Sequence, residues 1–378
     1  MKHLIRLLLC AALLMGLCAC GAQDPAPAAA PTPEPGPVSL WYVQDDTLTE
    51  LLGALCTQAP KGLVTVRSFE SELQMAAALD SQVPDLLVCG YAHAAGFFDD
   101  GLLSDLGPDC AGLCPPLLAE DYAGMGSSFF PLLADAWVLY ANTARYEAAM
   151  GAPLQAEDLA TVSRFCLAAD RYTAETSQPF YTADGFSSLF AACLAQNDSE
   201  FYGYLAADMQ NGDYVALYNL LAETAYARAL QIFSPGEARA LTEQGKVICS
   251  FLPAASVTQP AEGCTVLPLP MSSTRTPVVC SGVTGIAVTA PQEHAARCAE
   301  VLQLLYAMPQ AAEPALSRGR IPFTGTAPAA DDDAPETMLQ RMGSECRFVI
   351  TAPCTDHSEN YSRFDALFRA AMQQLNNS

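Results

Sequence analysis

Leu86-Leu87-Val88-Cys89 is a short, unbroken apolar run set off by Pro84-Asp85. Such a run fits a strand covered on both faces, as in a parallel sheet, and a strand of that kind demands helices on either side. The residues ahead of it supply them. Val38-Ser39-Leu40-Trp41-Tyr42-Val43 is rich in β-branched and aromatic residues and predicts a first strand. Asp45 and Asp46 are placed to cap a helix, in which Leu48, Leu51, Leu52 and Leu55 share one face. Gly62 starts a second strand over Leu63 to Val66. Ser71 to Leu79 reads as a second helix, with Leu73, Ala76, Ala77 and Leu79 apolar. The order β-α-β-α-β opens a doubly wound α/β lobe.

A glycine-punctuated stretch follows, and then Trp137-Val138-Leu139-Tyr140 predicts another strand. Residues from about 143 to 230 are Ala-rich and predict mainly helix. Strand character resumes at Ile248 to Leu252, Thr265 to Leu267 and Gly285 to Val288. Pro291 suits a first helical turn, and Leu302, Leu305 and Tyr306 carry a helical stripe that Pro309 ends. Asp331-Asp332-Asp333 reads as a solvated loop without EF-hand spacing, and Ser362 to Leu375 as an amphipathic helix.

The N-terminus has the layout of a secretory signal: Lys2 and Arg6, an apolar run from Leu7 to Leu17 too short to span a bilayer, then small residues. Leu17-Cys18-Ala19-Cys20 resembles the bacterial lipobox, with Cys18 where a small residue is usual. The resemblance implies a signal over residues 1–19, a lipid on Cys20 and a membrane held through that anchor. Residues 20–37 are Ala/Pro-rich. Proline keeps such a segment extended and solvated, at roughly 3 Å per residue, so it reads as a tether.

The 378-residue chain is long enough for two domains with cores, and its 51% hydrophobic content excludes general disorder. A formal net charge of −23 repels nucleic acid, which is excluded as a partner. The fifteen cysteines are scattered and contain no C-x-x-C pair with zinc spacing, so no metal site and no disulfide scaffold is expected. Cys56, Cys89, Cys166, Cys193 and Cys298 lie in apolar segments and read as small buried hydrophobes. Cys110 and Cys114 flank a loop, and the sequence leaves their pairing open.

The order of segments resembles the extracellular solute-binding proteins of ABC transporters, family 1, the group that includes maltose-binding proteins. Ser39-Leu40-Trp41-Tyr42 is similar to the first strand. Pro84-Asp85-Leu86-Leu87-Val88 and Gly101-Leu102-Leu103-Ser104-Asp105-Leu106 resemble the next signature. Pro131 and Val138-Leu139-Tyr140-Ala141-Asn142 resemble the crossover, with Ala141 where Tyr is frequent. Gly245-Lys246-Val247, Leu267-Pro268-Leu269-Pro270 and the Gly282-to-Met308 unit resemble later segments.

The resemblance implies a two-lobed periplasmic-binding-protein-like α/β fold of type II. Each lobe is a doubly wound α/β sheet, and the ligand cleft lies between them. The expected division is 38–134 plus 271–320 for lobe 1 and 135–270 plus 321–378 for lobe 2. Ligands of open α/β sheets sit beyond the strand C-termini, which nominates Trp41, Tyr42, Gly90 and Tyr91. Asp135 falls where related sugar binders place a carboxylate, and Tyr181, Asp184 and Phe251 are candidates from the far lobe. Trp41 has a core reading beside its ligand reading, and Trp137 reads as core.

The expected function is capture of an extracellular solute, a carbohydrate, by a monomer that closes its cleft and delivers the solute to ABC permease transmembrane subunits. No cofactor is expected. No H-E-x-x-H, G-x-S-x-G or S-x-x-K motif is present, and the four histidines stand singly, His93 near the expected cleft in a surface or loop role. An enzyme is therefore not expected. A sensor or adhesion lipoprotein and a surface hydrolase remain as alternatives.

Overall fold

The structure, a computed structural model, describes residues 36–107, 110, 112–113, 125–184, 236–270, 277–308, 311–324, 334–345 and 347–350. The signal, Cys20 and most of the tether lie outside these residues. So do Cys114, Cys193, the helical stretch expected beyond residue 184, Asp331-Asp332-Asp333 and the C-terminal helix.

In chain order the described elements begin with β1 (Val38–Val43), α1 (Asp46–Gln58), β2 (Val64–Phe69), α2 (Glu72–Leu79), β3 (Leu86–Gly90) and α3 (Tyr91–Asp99). They continue with β4 (Phe129–Asn142), α4 (Thr143–Met150), α5 (Ala156–Leu159), α6 (Val162–Thr176) and β5 (Tyr181–Ala183). After residue 235 come α7 (Ala238–Glu243), β6 (Cys249–Pro253), β7 (Cys264–Leu267) and β8 (Pro277–Val288). The last are α8 (Ala295–Ala307), α9 (Glu313–Leu316), β9 (Ile321–Pro322), α10 (Pro335–Glu345) and β10 (Arg347–Ile350).

Local chemistry sets the boundaries. Asp45 accepts a hydrogen bond from the Leu48 amide at 3.0 Å and caps α1, and Ser71 caps α2 through Gln74 in the same way. The expected stripe of Leu48, Leu51, Leu52 and Leu55 is buried. Burying each such side chain stabilises the fold by about 2 kcal/mol. In α2 the buried residue is Met75, while Leu73 faces solvent at 81% exposure. The glycine-punctuated stretch contains α3, which starts on Gly90 as N-cap. Gly101 follows shortly after with φ +69°.

The strands run in the order β2-β1-β3-β8-β4-β6-β5. β1 is parallel to both β2 and β3, whereas β8 is antiparallel to β3 and to β4. β4 joins two sheets. Phe129 to Ala136 pair with β8, and Trp137 to Ala141 pair with β6, which is in turn parallel to β5. β7 takes the other edge of β4 from Leu139 to Asn142. The pairing with β8 shifts register between Pro131 and Leu133 and again between Asp135 and Ala136, so the strand bends as it changes sheets.

Both faces of the first sheet are covered. Leu40, Tyr42, Leu86, Val88 and Ile286 pack in one core with α1 and α8, while Trp41, Leu87, Cys89 and Phe129 pack in the other with Met75 and Leu316. Period-two alternation along β1 sends Trp41 and Tyr42 to opposite cores.

The Pro84-Asp85 signature has a mechanical role. The Asp85 carboxylate accepts hydrogen bonds from the Ser39 amide and hydroxyl, each 2.8 Å, and lies 2.8 Å from His294 Nδ1. Its carbonyl accepts from the Thr289 amide at 3.0 Å. One residue thus fastens the start of β1, the start of β3 and the segment after β8. Burial pushes the carboxyl pKa up, but the Ser39 bonds and His294 outweigh it and hold the value below the ordinary one.

Cys249, Cys280, Cys89 and Cys298 are buried as small hydrophobes, and burial drives the thiols of Cys89 and Cys298 up to about 12. Cys56 departs from its expected burial: it follows Leu55, off the buried stripe of α1, and is exposed. Cys166 is partly buried. Mass-mapped labelling with a maleimide is expected to modify Cys56 in the folded protein, and Cys89, Cys249, Cys280 and Cys298 only after unfolding. Labelling of Cys249 or Cys280 at the rate of Cys56 would contradict this burial.

Candidate functional site

A cleft of about 360 Å³ opens where β1 and β3 end. Val43, Gln44 and Asp45 leave β1 into one side, and Leu87 to Gly90 of β3 form the floor. α2 contributes Glu72, Met75, Ala76 and Leu79, and α3 contributes His93 and Phe97. Thr284 of β8 and Arg320 complete the lining. Apolar walls with a few convergent polar groups are the usual make-up of a small-molecule site, and the ends of parallel strands are the usual place for one.

Arg320 organises the polar side. It precedes β9 and is only 12% exposed. Its Nε donates to Asp135 Oδ1 at 2.7 Å and its Nη2 to Asp135 Oδ2 at 3.3 Å, a two-pronged pair. Nη1 donates to Asp45 Oδ1 at 3.2 Å, and Nη2 also reaches Thr284 Oγ1 at 3.4 Å. The guanidinium therefore ties together the cap of α1, β8 and the bend in β4. Asp135 is the one residue of β4 that is not fully buried. It stands at the register shift opposite Gly282.

Gly319 lets Arg320 approach. It has φ +72°, and a Cβ there would lie 2.6 Å from the Ala254 carbonyl oxygen and from Ala255 Cα. Only glycine fits both the backbone angle and the space. Ala254 and Ala255 directly follow β6, so the arginine segment rests on the end of a second-sheet strand.

The candidate residues fall into separate groups. Gly90 lines the cleft, and a Cβ on it would meet nothing within 4 Å. Tyr91 follows on α3, half-buried and edge-on to Phe129 at 6.1 Å between ring centres. Asp135 reaches the cleft through Arg320. Trp41 and Tyr42 are buried, 3% and 6% exposed. Trp41 packs on Phe69, with the Arg67 guanidinium 4.9 Å from its ring, and the Tyr42 hydroxyl bonds Thr49 at 3.3 Å. Trp137 is buried as read.

Tyr181 and Phe251 lie side by side in the second sheet, ring centres 5.5 Å apart, and both pack on Phe165. The Asp184 amide donates to the Phe251 carbonyl at 2.9 Å, and its carboxylate accepts from the Gly236 amide. Tyr181, Asp184 and Phe251 are thus one group.

Among the polar residues that line the cleft, Gln44, Asp45, Glu72, Thr284 and Arg320 were not expected there. For Asp45 the signal was present in the capping position just beyond β1. His93 lines the cleft from α3 and is exposed.

No family model matches the sequence, and no curated protein matches it. Solved structures do match. A cyclic α-maltosyl-1,6-maltose binding protein from Arthrobacter globiformis aligns with a TM-score of 0.64 at 15% identity, over 90% of this chain and 99% of that one. A family 1 extracellular solute-binding protein from Bifidobacterium longum subsp. infantis aligns with a TM-score of 0.70 at 12% identity, over 89% and 96%. The apo form of RafE from Streptococcus pneumoniae aligns with a TM-score of 0.67 at 15% identity, over 91% and 97%. Together with the strand order, in which antiparallel β8 is inserted between β3 and β4, these likenesses establish that the chain has the two-lobed α/β fold of extracellular solute-binding proteins.

Proposed function

We propose that this chain is the membrane-anchored solute-binding component of an ABC import system, and that its solute is a carbohydrate. The observation that carries this reading is the cleft at the ends of β1 and β3, in which apolar Met75, Ala76, Leu79 and Phe97 face polar Gln44, Asp45, Glu72, His93, Thr284 and Arg320. Sugars present both kinds of surface, since their hydroxyls pair with carboxylates and amides and their C–H faces rest on apolar side chains. Proteins of the same fold bind sugars: one similar protein is a cyclic α-maltosyl-1,6-maltose binding protein, and RafE has been solved in complex with raffinose.

In this reading Cys20 carries the lipid, the Ala/Pro tether holds the body outside the cell, and the monomer presents its loaded form to permease subunits. The lobes comprise 38–134 with 271–320 and 135–270 with 321–378. Gly90 and Tyr91 serve lobe 1's side of the site, Asp135 stands at the boundary where lobe 2 begins, and Tyr181, Asp184 and Phe251 serve lobe 2's side. Trp41 and Tyr42 support the floor from within the core. The chain catalyses no reaction of its own.

Calorimetry against a panel of mono- and oligosaccharides is expected to give a one-to-one complex of micromolar or tighter affinity, with no turnover of the bound sugar. The carbohydrate reading fails if none of the panel binds while an amino acid, polyamine or metal ion does.

A further inference from the structure

We infer that Arg320 sets the charge class of the solute: its positive charge is consumed within the protein, so the cleft takes uncharged solutes and turns anionic ones away. The inference rests on the solute-binding reading and narrows it. Arg320 is the only Lys or Arg lining the cleft among the described residues, where Asp45 and Glu72 supply negative charge. An arginine in such a place would ordinarily serve a carboxylate or phosphate, because its planar fork matches either group. Here the fork is already taken.

Asp135 occupies Nε and Nη2, Asp45 occupies Nη1, and Thr284 shares Nη2. Four of its five N–H donors are engaged. Two carboxylates against one guanidinium leave the cluster negative. An incoming anion must either compete with Asp135 for the fork or lie beside Asp45 and Glu72, where the one lining arginine among the described residues is already engaged. Both routes cost binding energy. A hydroxyl needs neither route, because it can accept the remaining N–H and donate to carboxylate oxygens that have lone pairs to spare.

Matching pairs of ligand test the assignment on the intact protein: a neutral sugar that binds, against its uronate and its phosphate ester, by calorimetry. The acidic member is expected to bind at least tenfold more weakly. Equal or tighter binding of the acidic member overturns the inference and leaves the carbohydrate reading intact.

A second arm needs no known ligand. Melting is followed with rising inorganic phosphate, at ionic strength held constant with chloride, in the wild type, Asp135→Asn, Asp45→Asn and Arg320→Met. Phosphate is expected to leave the wild type unmoved and to raise the melting temperature of Asp135→Asn saturably, because the fork is freed, with a smaller rise for Asp45→Asn. A saturable rise in the wild type that Arg320→Met abolishes overturns the inference. So does the absence of a rise in both Asn variants. A chain that binds no sugar yet shows the expected phosphate pattern loses the carbohydrate reading and keeps the charge assignment.

Discussion

Replacing Asp85 with alanine is expected to lower the unfolding free energy by about 3 kcal/mol, the cost of removing one partner from a buried, charge-assisted hydrogen-bond set. The Ser39 amide and hydroxyl and His294 all lose their acceptor, while the backbone bonds of residue 85 to Ser39 and Thr289 remain. Denaturant unfolding should show this as a lower midpoint with little change in slope. Asp85→Asn should fall between, since it keeps one acceptor oxygen.

The contribution also has a pH signature. Asp85 has a depressed folded-state pKa, so its unfolded form binds protons first as pH falls. Its stabilisation is complete above the unfolded carboxyl value of about 3.9 and is lost as pH drops through the folded value. The difference in stability between wild type and Asp85→Ala should therefore shrink as pH falls below about 4. A difference that widens on acidification would contradict the assignment.

Gly319→Val should be nearly as damaging. A β-branched residue at φ +72° is strained, and its Cβ would stand 2.6 Å from backbone atoms of Ala254 and Ala255, which cannot rotate away as a side-chain tip could. Strain and overlap together are expected to cost about 3 kcal/mol. The displacement passes to Arg320 next in the chain, so the variant that does fold should also lose the discrimination against anionic solutes. A Gly319→Val protein with a wild-type midpoint would show that the loop before β9 yields easily.

Much of the first sheet was legible because its signals are local. The leucine stripe of α1 needs only residues 48 to 55, and the Asp45 cap sits three residues from its partner. Leu86 to Cys89 declared a strand covered on both faces, as β3 is. α3 was hidden because Gly90, Gly96 and Gly101 together look like a loop. In fact Gly90 is its N-cap and Gly96 lies within the helix.

The polar side of the site was hidden for another reason. Arg320 is 185 residues from Asp135 and 275 from Asp45, and no local pattern marks a residue whose partners are that remote. His294, a histidine that stands singly in sequence, has its carboxylate 209 residues away. Trp41 illustrates the converse. Its position at a strand end suggested a ligand platform, but the sheet is covered on both faces, so either parity of the alternation leads into a core.

β4 passes from one sheet to the other within 14 residues and without a loop. Two bodies joined by a flexible linker would sample many mutual orientations, and each capture event would have to suppress that freedom. Here the backbone is hydrogen-bonded on both sides of Ala136, so rotation through this strand is confined to a few dihedral angles near one register shift. The orientational entropy was surrendered when the chain folded. Any movement of one sheet against the other through β4 must therefore work at that bend rather than through a loop.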